Sequence, residues 1–140
     1  MSEPTVQVPD TILFVDDEAK ARKYFTLFFK GKHRVLAAAD GEEALALFQS
    51  HRDEIAVVIT DHIMPRMTGL DLLAQIGESG ARITRILSTA YTDSDLVRAA
   101  VSDGLIDYFI SKPWDLEKLE AIVGQSFSLL GHRLPIEEAC

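Results

Sequence analysis

Apolar residues along the chain follow two alternating patterns: short continuous runs, and longer segments in which they recur every three or four positions. The run at 55–60, Ile-Ala-Val-Val-Ile-Thr, is nearly all apolar and rich in β-branched residues, which is typical of a strand buried on both faces. It ends at Asp61, and Pro65 prevents the chain from simply continuing as strand or helix. Similar runs predict strands at residues 11–15, 34–39, 55–60, 83–88 and 106–110.

Helical spacing fills the intervals between these runs, and residues that favour helix N-termini precede several of them. Asp40, followed three residues later by Glu43, resembles a capping box. Asp93 or Ser94 is expected to cap the fourth helix, and Asp115 the last one. Together these signals predict helices over residues 19–30, 40–48, 70–76, 93–100 and 115–130.

The alternation of strand and helix indicates an α/β fold with a parallel sheet and helices on both faces. Of the two common doubly wound arrangements, the five-stranded order 2-1-3-4-5 fits a chain of 140 residues. Its switch point lies between strands 1 and 3, and ligands of such sheets bind beyond the carboxyl ends of the strands. We therefore expect the chemistry at that edge.

Composition indicates one domain, because 140 residues with 47% hydrophobic content suffice for one compact core and are few for two. We predict a disordered leader at residues 1–10, the domain at 11–131, and a tail or linker start at 132–140. A net charge of −8 argues against direct nucleic-acid binding. A single cysteine, Cys140, suits a reducing compartment, and no apolar run is long enough to span a membrane, so a cytoplasmic location is expected.

Polar side chains follow four of the predicted strands. Asp16 and Asp17 come after strand 1, Asp61 after strand 3, Thr89 after strand 4 and Lys112 after strand 5. Three carboxylates at one sheet edge repel each other and require a counter-charge, for which Mg²⁺ is the most suitable hard cation. With a lysine ammonium and a hydroxyl beside them, these groups are equipped for phosphoryl transfer in which Asp61 attacks phosphorus.

The chain resembles the receiver domain of two-component response regulators, whose fold is flavodoxin-like, from about Thr11 to about Leu130. No single motif is specific, but their order, spacing and strand-end placement together are. The residues that carry the resemblance are Asp16-Asp17, Asp61 with Met64-Pro65 and Gly69, Thr89-Ala90 and Lys112-Pro113.

The resemblance implies that Asp61 accepts a phosphoryl group from a sensor histidine kinase or a histidine phosphotransfer protein. It also implies a Mg²⁺ site in which Asp17 and Asp61 are direct ligands. Asp16 would act largely through water, and the backbone carbonyl of Ile63 would complete the site. Lys112 would neutralise the charge of the phosphoryl group.

By the same resemblance, Thr89 would move toward the phosphoryl group and the Phe109 ring would change rotamer. The surface that responds would consist of helix 4, strand 5 and helix 5, and an output domain or target protein would bind it. A homodimer through this face is an open alternative. The physical basis is a two-state element biased by a new dianion.

Two positions depart from the commonest receiver pattern. Ile63 and Tyr91, each two residues after a site residue, replace the polar groups that in many members help to position a water molecule. We predict that these apolar and aromatic side chains shield the acyl phosphate and slow its hydrolysis. Trp114 stands where phenylalanine is the more usual aromatic residue. Similar Lys-Pro-Trp endings occur in receivers that precede larger output or signalling modules.

Three other interpretations fit parts of the pattern. A phosphatase of the haloacid-dehalogenase type also uses an aspartyl nucleophile and Mg²⁺, but its second acid lies two residues after the first, and Asp16-Asp17-Glu18 breaks that spacing. A receiver that only docks proteins would not need the complete set of acid, hydroxyl and lysine. A dinucleotide-binding fold requires a Gly-x-Gly-x-x-Gly turn after strand 1, and the chain has no such turn there. His62 is interpreted as structural, because strand alternation points it away from Asp61.

Overall fold

The computed structural model describes residues 9–90 and 94–139, with side chains for residues 9–90 and 95–128. The predicted leader lies almost entirely outside these residues, as do Tyr91, Asp93 and Cys140 and the side chain of Leu130. Five strands alternate with five helices. The strands are β1 Thr11–Val15, β2 Arg34–Ala38, β3 Ile55–Thr60, β4 Thr84–Thr89 and β5 Tyr108–Ser111. The helices are α1 Ala19–Phe29, α2 Gly41–Ser50, α3 Gly69–Glu78, α4 Ser94–Ser102 and α5 Leu116–Ala139.

All neighbouring strands are parallel, and the sheet order is β2-β1-β3-β4-β5. This confirms the predicted fold class and strand order. Every residue of the central strands β1 and β3 is buried, whereas the edge strand β2 is mostly half-buried. Helices cover both faces of a sheet of this type, which explains why its central strands read as continuous apolar runs.

Two apolar clusters fill the two sides of the sheet. One contains Leu13, Val15 and Val58 and packs against α2, α3 and α4. The other contains Ile12, Phe14 and Ile59 and packs against α1 and α5. Successive strand residues point to opposite faces, so each central strand contributes to both clusters. The sheet is therefore held rigidly from both sides, and the ends of its strands are fixed relative to one another.

The helix caps follow the sequence closely. Asp40 accepts a hydrogen bond from the Glu43 backbone N–H at 2.8 Å, while the Glu43 carboxylate accepts from the N–H of Ala39 at 2.7 Å, one residue before the cap. Asp115 caps α5 by accepting from the backbone N–H of Glu117 at 3.0 Å. A complete capping box at Thr68, which begins α3, was not predicted.

α5 is longer than expected, because its backbone continues to Ala139 through residues predicted to form a tail or linker. The domain boundary at residue 131 stays a prediction. Of the helices that the structure describes, none combines the length and the apolar character needed to cross a bilayer.

Candidate phosphoryl-acceptor site

Strand register brings the predicted residues to one edge of the sheet. Val15 pairs with Thr60, so the residues that follow them, Asp16 and Asp61, emerge side by side, and the Asp61 N–H donates to the Val15 carbonyl at 2.9 Å. On the other side Thr89 pairs with Ser111. The switch point between β1 and β3 therefore lies where the sequence placed it.

Three carboxylates form one cluster at this edge. Asp16, Asp17 and Asp61 each offer an oxygen, and these three oxygens lie within 4.8 Å of one another. Asp16 is buried, Asp17 is exposed, and the Asp61 side chain is 13% exposed. An all-oxygen donor set that is open to solvent on one side fits Mg²⁺, which retains several of its waters. The residues present thus suit the cation that the sequence implied.

Asp16 lies deepest of the three, at 1% exposure. One carboxylate oxygen accepts a hydrogen bond from the Glu18 backbone N–H at 2.9 Å, and the other pairs with the Lys112 ammonium. Burial raises the pKa of the Asp16 carboxyl above its ordinary value, and the hydrogen bonds from Lys112 and Glu18 offset this only in part. The fold therefore keeps a poorly solvated acid next to a lysine.

Asp61 presents its two carboxylate oxygens differently. Oδ1 accepts a hydrogen bond from the backbone N–H of His62 at 2.8 Å, whereas Oδ2 lies 3.6 Å from the Lys112 Nζ. The Asp61 main chain is backed by Gly69, where an added Cβ would overlap the Asp61 carbonyl oxygen. The side chain is thus held by its own loop, and Oδ2 is the oxygen that faces the lysine.

Lys112 connects the two sides of the site. Burial by itself would lower the pKa of its ammonium, but the hydrogen bond with Asp16 and the charges of Asp16 and Asp61 outweigh burial and raise it. The backbone N–H of Lys112 also donates to the Thr89 carbonyl at 3.2 Å. Lys112 therefore carries a firmly held positive charge next to Asp61.

Comparison with known proteins identifies the family to which this fold and this site belong. A family model for the response regulator receiver domain matches residues 12–124. The chain belongs to the response regulator receiver domain family. A receiver domain is a signalling domain of two-component systems. The family match therefore favours the receiver interpretation over the phosphatase of the haloacid-dehalogenase type.

Full-length relatives of this receiver domain are larger than the chain. The chain is 33% identical over 132 residues to the hydrogenase transcriptional regulatory protein HoxA of Cupriavidus necator, covering 91% of the chain and 27% of HoxA. It is 38% identical over 91 residues to the transcriptional regulatory protein HptR of Staphylococcus aureus, covering 65% of the chain and 34% of HptR. The chain thus spans about a third or less of these regulators.

Solved structures match the fold over most of the receiver domain. The signal receiver domain of an HD domain-containing protein from Pseudomonas fluorescens has a TM-score of 0.81 at 30% identity, covering 89% of this chain and 98% of that one. A complex of CheX and CheY with BeF3 and Mg²⁺ from Borrelia burgdorferi has a TM-score of 0.77 at 32% identity, covering 86% and 90%.

The remaining predicted residues of the receiver domain occupy different environments. Thr89 is 2% exposed at the end of β4, and the Phe109 ring is half-buried against the cluster beside α4. The Ile63 side chain is 58% exposed in the β3–α3 loop. His62 is half-buried, and its structural role stays a prediction. Tyr91 lies outside the described residues, so its predicted role in phosphoryl lifetime stays a prediction too.

Sequence reasoning missed two contacts that support the site. The Arg22 guanidinium donates to the backbone carbonyl of Asp16 at 2.8 Å, which ties the acidic loop to α1. The Trp114 indole N–H donates to the Ser88 hydroxyl at 2.7 Å. Arg22 lies one helical turn after Glu18, the N-cap residue of α1, and this spacing was the available signal for the first contact. The second joins Ser88 on β4 to Trp114 in the loop after β5, and no local pattern indicates it.

Proposed function

We propose that this receiver domain accepts a phosphoryl group on Asp61 in a Mg²⁺-dependent reaction, from a histidine kinase or a histidine phosphotransfer protein. The observation that carries the proposal is the position of Asp61 Oδ2, 3.6 Å from Lys112 Nζ. Asp61 also belongs to the carboxylate cluster, in which Asp16, Asp17 and Asp61 each offer an oxygen within 4.8 Å of the other two. A nucleophilic carboxylate, a metal-binding acid pair and a lysine are the groups that such a transfer requires.

Mg²⁺ would be held directly by Asp17 and Asp61, through water by Asp16, and by the backbone carbonyl of Ile63. When bound, the cation neutralises charge on the phosphoryl oxygens. The donor set supports this assignment, since the three acids offer oxygens within 4.8 Å of one another and Asp17 is exposed to solvent. Arg22 supports the same loop by holding the Asp16 carbonyl.

In the reaction, Asp61 Oδ2 attacks phosphorus and the new O–P bond forms as the N–P bond of the donor phosphohistidine breaks. The electron pair of that bond returns to the imidazole nitrogen. Lys112 neutralises the negative charge on a phosphoryl oxygen, which its position between the carboxylates allows. The Thr89 hydroxyl donates a hydrogen bond to another phosphoryl oxygen.

The output would follow from that hydrogen bond. Thr89 moves toward the new dianion, and Phe109 on β5 changes rotamer in response. Phe109 packs against the same cluster as Val97 and Leu105, from α4 and the turn after it, so a change of its rotamer alters the face formed by α4, β5 and α5. An output domain or target protein would bind this face, and a homodimer through it is an alternative outcome.

In this proposal the domain catalyses only its own phosphorylation and dephosphorylation and is not a conventional enzyme. It would function in the cytoplasm without contacting nucleic acid itself, as part of a larger regulator or as a single-domain regulator. HoxA and HptR are named transcriptional regulatory proteins, which supports the first of these. Residues 1–10 would be a leader, 11–131 the domain and 132–140 the tail or start of a linker.

The test is incubation with Mg²⁺ and a small phosphodonor, followed by intact-mass analysis and peptide mapping, with reversible beryllofluoride binding to the folded protein followed separately by NMR. We expect modification at one site, Asp61, and loss of it in Asp61→Asn. Asp103→Asn, which alters an exposed aspartate after α4, is the matched control and should be modified normally. Modification that persists in Asp61→Asn would contradict the proposal.

Two alternatives predict different results. A receiver that only docks proteins would remain unmodified under all of these conditions. A hydrolase of the haloacid-dehalogenase type would release phosphate from many esters over multiple turnovers. Single-turnover labelling of Asp61 with slow release of phosphate distinguishes the proposed function from both.

A further inference from the structure

Trp114 connects two of the strand ends that form the site. Its indole Nε1–H donates a hydrogen bond to the Ser88 hydroxyl oxygen at 2.7 Å. Ser88 is 1% exposed and immediately precedes Thr89, while Trp114 follows Lys112 by two positions in the β5–α5 loop. The hydrogen bond therefore ties the loop that carries Lys112 to the strand end that carries Thr89.

Aromatic packing fixes the Trp114 ring in place. The ring meets Phe14 edge to face, with centroids 5.6 Å apart and planes at 74°. It meets Phe25 of α1 in the same way at 5.8 Å and 72°, and the two phenylalanines stack at 4.1 Å. Phe14 lies on β1 two residues before Asp16, so the ring is anchored to the acid-bearing strand as well. Edge-to-face packing of this kind is directional and restricts ring rotation.

We propose that Trp114 is a positioning residue for Lys112, acting through its hydrogen bond to Ser88. The Lys112 ammonium is a point charge on a flexible four-carbon stem, so its position depends on where the loop holds its backbone. One backbone hydrogen bond, from Lys112 N–H to the Thr89 carbonyl at 3.2 Å, already links that loop to β4. The indole N–H adds a second link, which phenylalanine cannot form.

This inference rests on the proposed function, because the property that it sets is the efficiency of phosphoryl acceptance by Asp61. Small displacements of a charge-stabilising group reduce the rate of such reactions steeply. Loss of one neutral hydrogen bond corresponds to about a 3- to 10-fold effect when the bond is fully expressed in the reaction. Trp114→Phe keeps an aromatic ring and removes the donor, and Ser88→Ala removes the acceptor.

The first experiment measures the rate of Asp61 labelling by acetyl phosphate at saturating Mg²⁺ in each variant. We expect both Trp114→Phe and Ser88→Ala to slow labelling about 3- to 10-fold. Ser126→Ala is the matched control: Ser126 is also 1% exposed, but its hydroxyl donates to the Ile122 carbonyl within α5 at 2.8 Å. Wild-type rates in both site variants, or equal slowing in the control, would overturn the proposal.

A double variant separates positioning from general destabilisation. Since both substitutions remove the same hydrogen bond, Trp114→Phe with Ser88→Ala should label no more slowly than the slower single variant. Slowing that multiplies across the two substitutions would mean that each residue acts independently, which contradicts the proposal.

Fluorescence provides a readout that does not depend on phosphorylation. Trp114 is the only tryptophan in the chain, so its emission reports on this position alone. Lys112→Ala should shift the emission, and Lys118→Ala, at an exposed position on α5, should not. Unchanged emission in Lys112→Ala would overturn the link between the two residues. Failure of the wild-type protein to be labelled would instead contradict the proposed function, and the emission comparison would still decide on Trp114.

Discussion

The Lys112 ammonium lies between two carboxylates, in direct contact with Asp16 and 3.6 Å from the Oδ2 of Asp61. Asp16 is almost fully buried and the Lys112 side chain is 20% exposed, so their pair is shielded from water far more than a surface ion pair. The same lysine that would neutralise a phosphoryl group thus also compensates a buried acid. The role of Lys112 in stability and its role in function are coupled.

Lys112→Met is expected to lower the free energy of unfolding by about 1–3 kcal/mol, because it leaves a buried charged acceptor without its partner. Added Mg²⁺ should restore part of this loss, since a cation held by the three acids supplies the missing positive charge. Urea denaturation with and without Mg²⁺ measures both effects. Lys118→Met, at an exposed lysine, is the control, and equal stability of the two variants would contradict the expectation.

Gly69→Ala is expected to destabilise the protein by about 1–3 kcal/mol and to slow labelling of Asp61. An added Cβ would overlap the Asp61 carbonyl oxygen and would also crowd the Cα of His62, so the loop would have to move. Gly124→Ala is the matched control, because among the described residues nothing other than the adjoining backbone of α5 lies within 4 Å of its Cβ position. That substitution should stabilise the helix by up to about 1 kcal/mol. Similar effects of the two substitutions would rule out the steric explanation.

Stability should fall as the pH drops below about 6.5, in part through His33. Its ring stacks on Phe127 at 4.2 Å, and burial, followed by the charge of Lys32, lowers its pKa below the ordinary value of 6.5. The unfolded chain therefore binds more protons than the folded one in this range, so the contribution of neutral His33 is present above pH 6.5 and is lost at lower pH.

His33→Phe keeps an uncharged ring against Phe127 and cannot be protonated, so stability should fall less steeply with decreasing pH in this variant. Thermal unfolding between pH 7.5 and about pH 5 measures the slope, in a range above the ordinary pKa of carboxyl groups. Identical slopes for the variant and the wild-type protein would exclude His33 as a cause.

Phosphoryl lifetime is expected to shorten in Ile63→Asn and in Tyr91→Ala, because both substitutions give water better access to the acyl phosphate. The measurement is the first-order decay of phosphorylated Asp61 after removal of the donor. Leu27→Asn provides a control. Leu27 is an apolar residue of similar exposure, 56%, but it lies on α1 rather than in the loop that follows Asp61. A half-life that does not move in either site variant would refute the shielding hypothesis.

The sequence by itself determined the order of elements, the parallel sheet and the edge at which the site forms. β1 and β3 could be recognised as central because buried parallel strands are continuously apolar, and Asp16 and Asp61 mark where those runs stop. Caps at Asp40 and Asp115 were equally readable, since they involve neighbours in the chain. Strand-end placement of Thr89 and Lys112 followed from the same local patterns.

Only the tertiary structure decided which groups at that edge contact one another. Asp16 and Lys112 are separated by 96 positions, and Ser88 and Trp114 by 26. Contacts of this kind depend on the register between neighbouring strands and on the position along the strand axis at which each loop begins. The hydrophobic periodicity of the sequence specifies neither. For the same reason the sequence could not show that Lys112 pairs with the buried Asp16. Nor could it show that the tryptophan at position 114, where phenylalanine is more usual, donates a hydrogen bond to Ser88 next to Thr89.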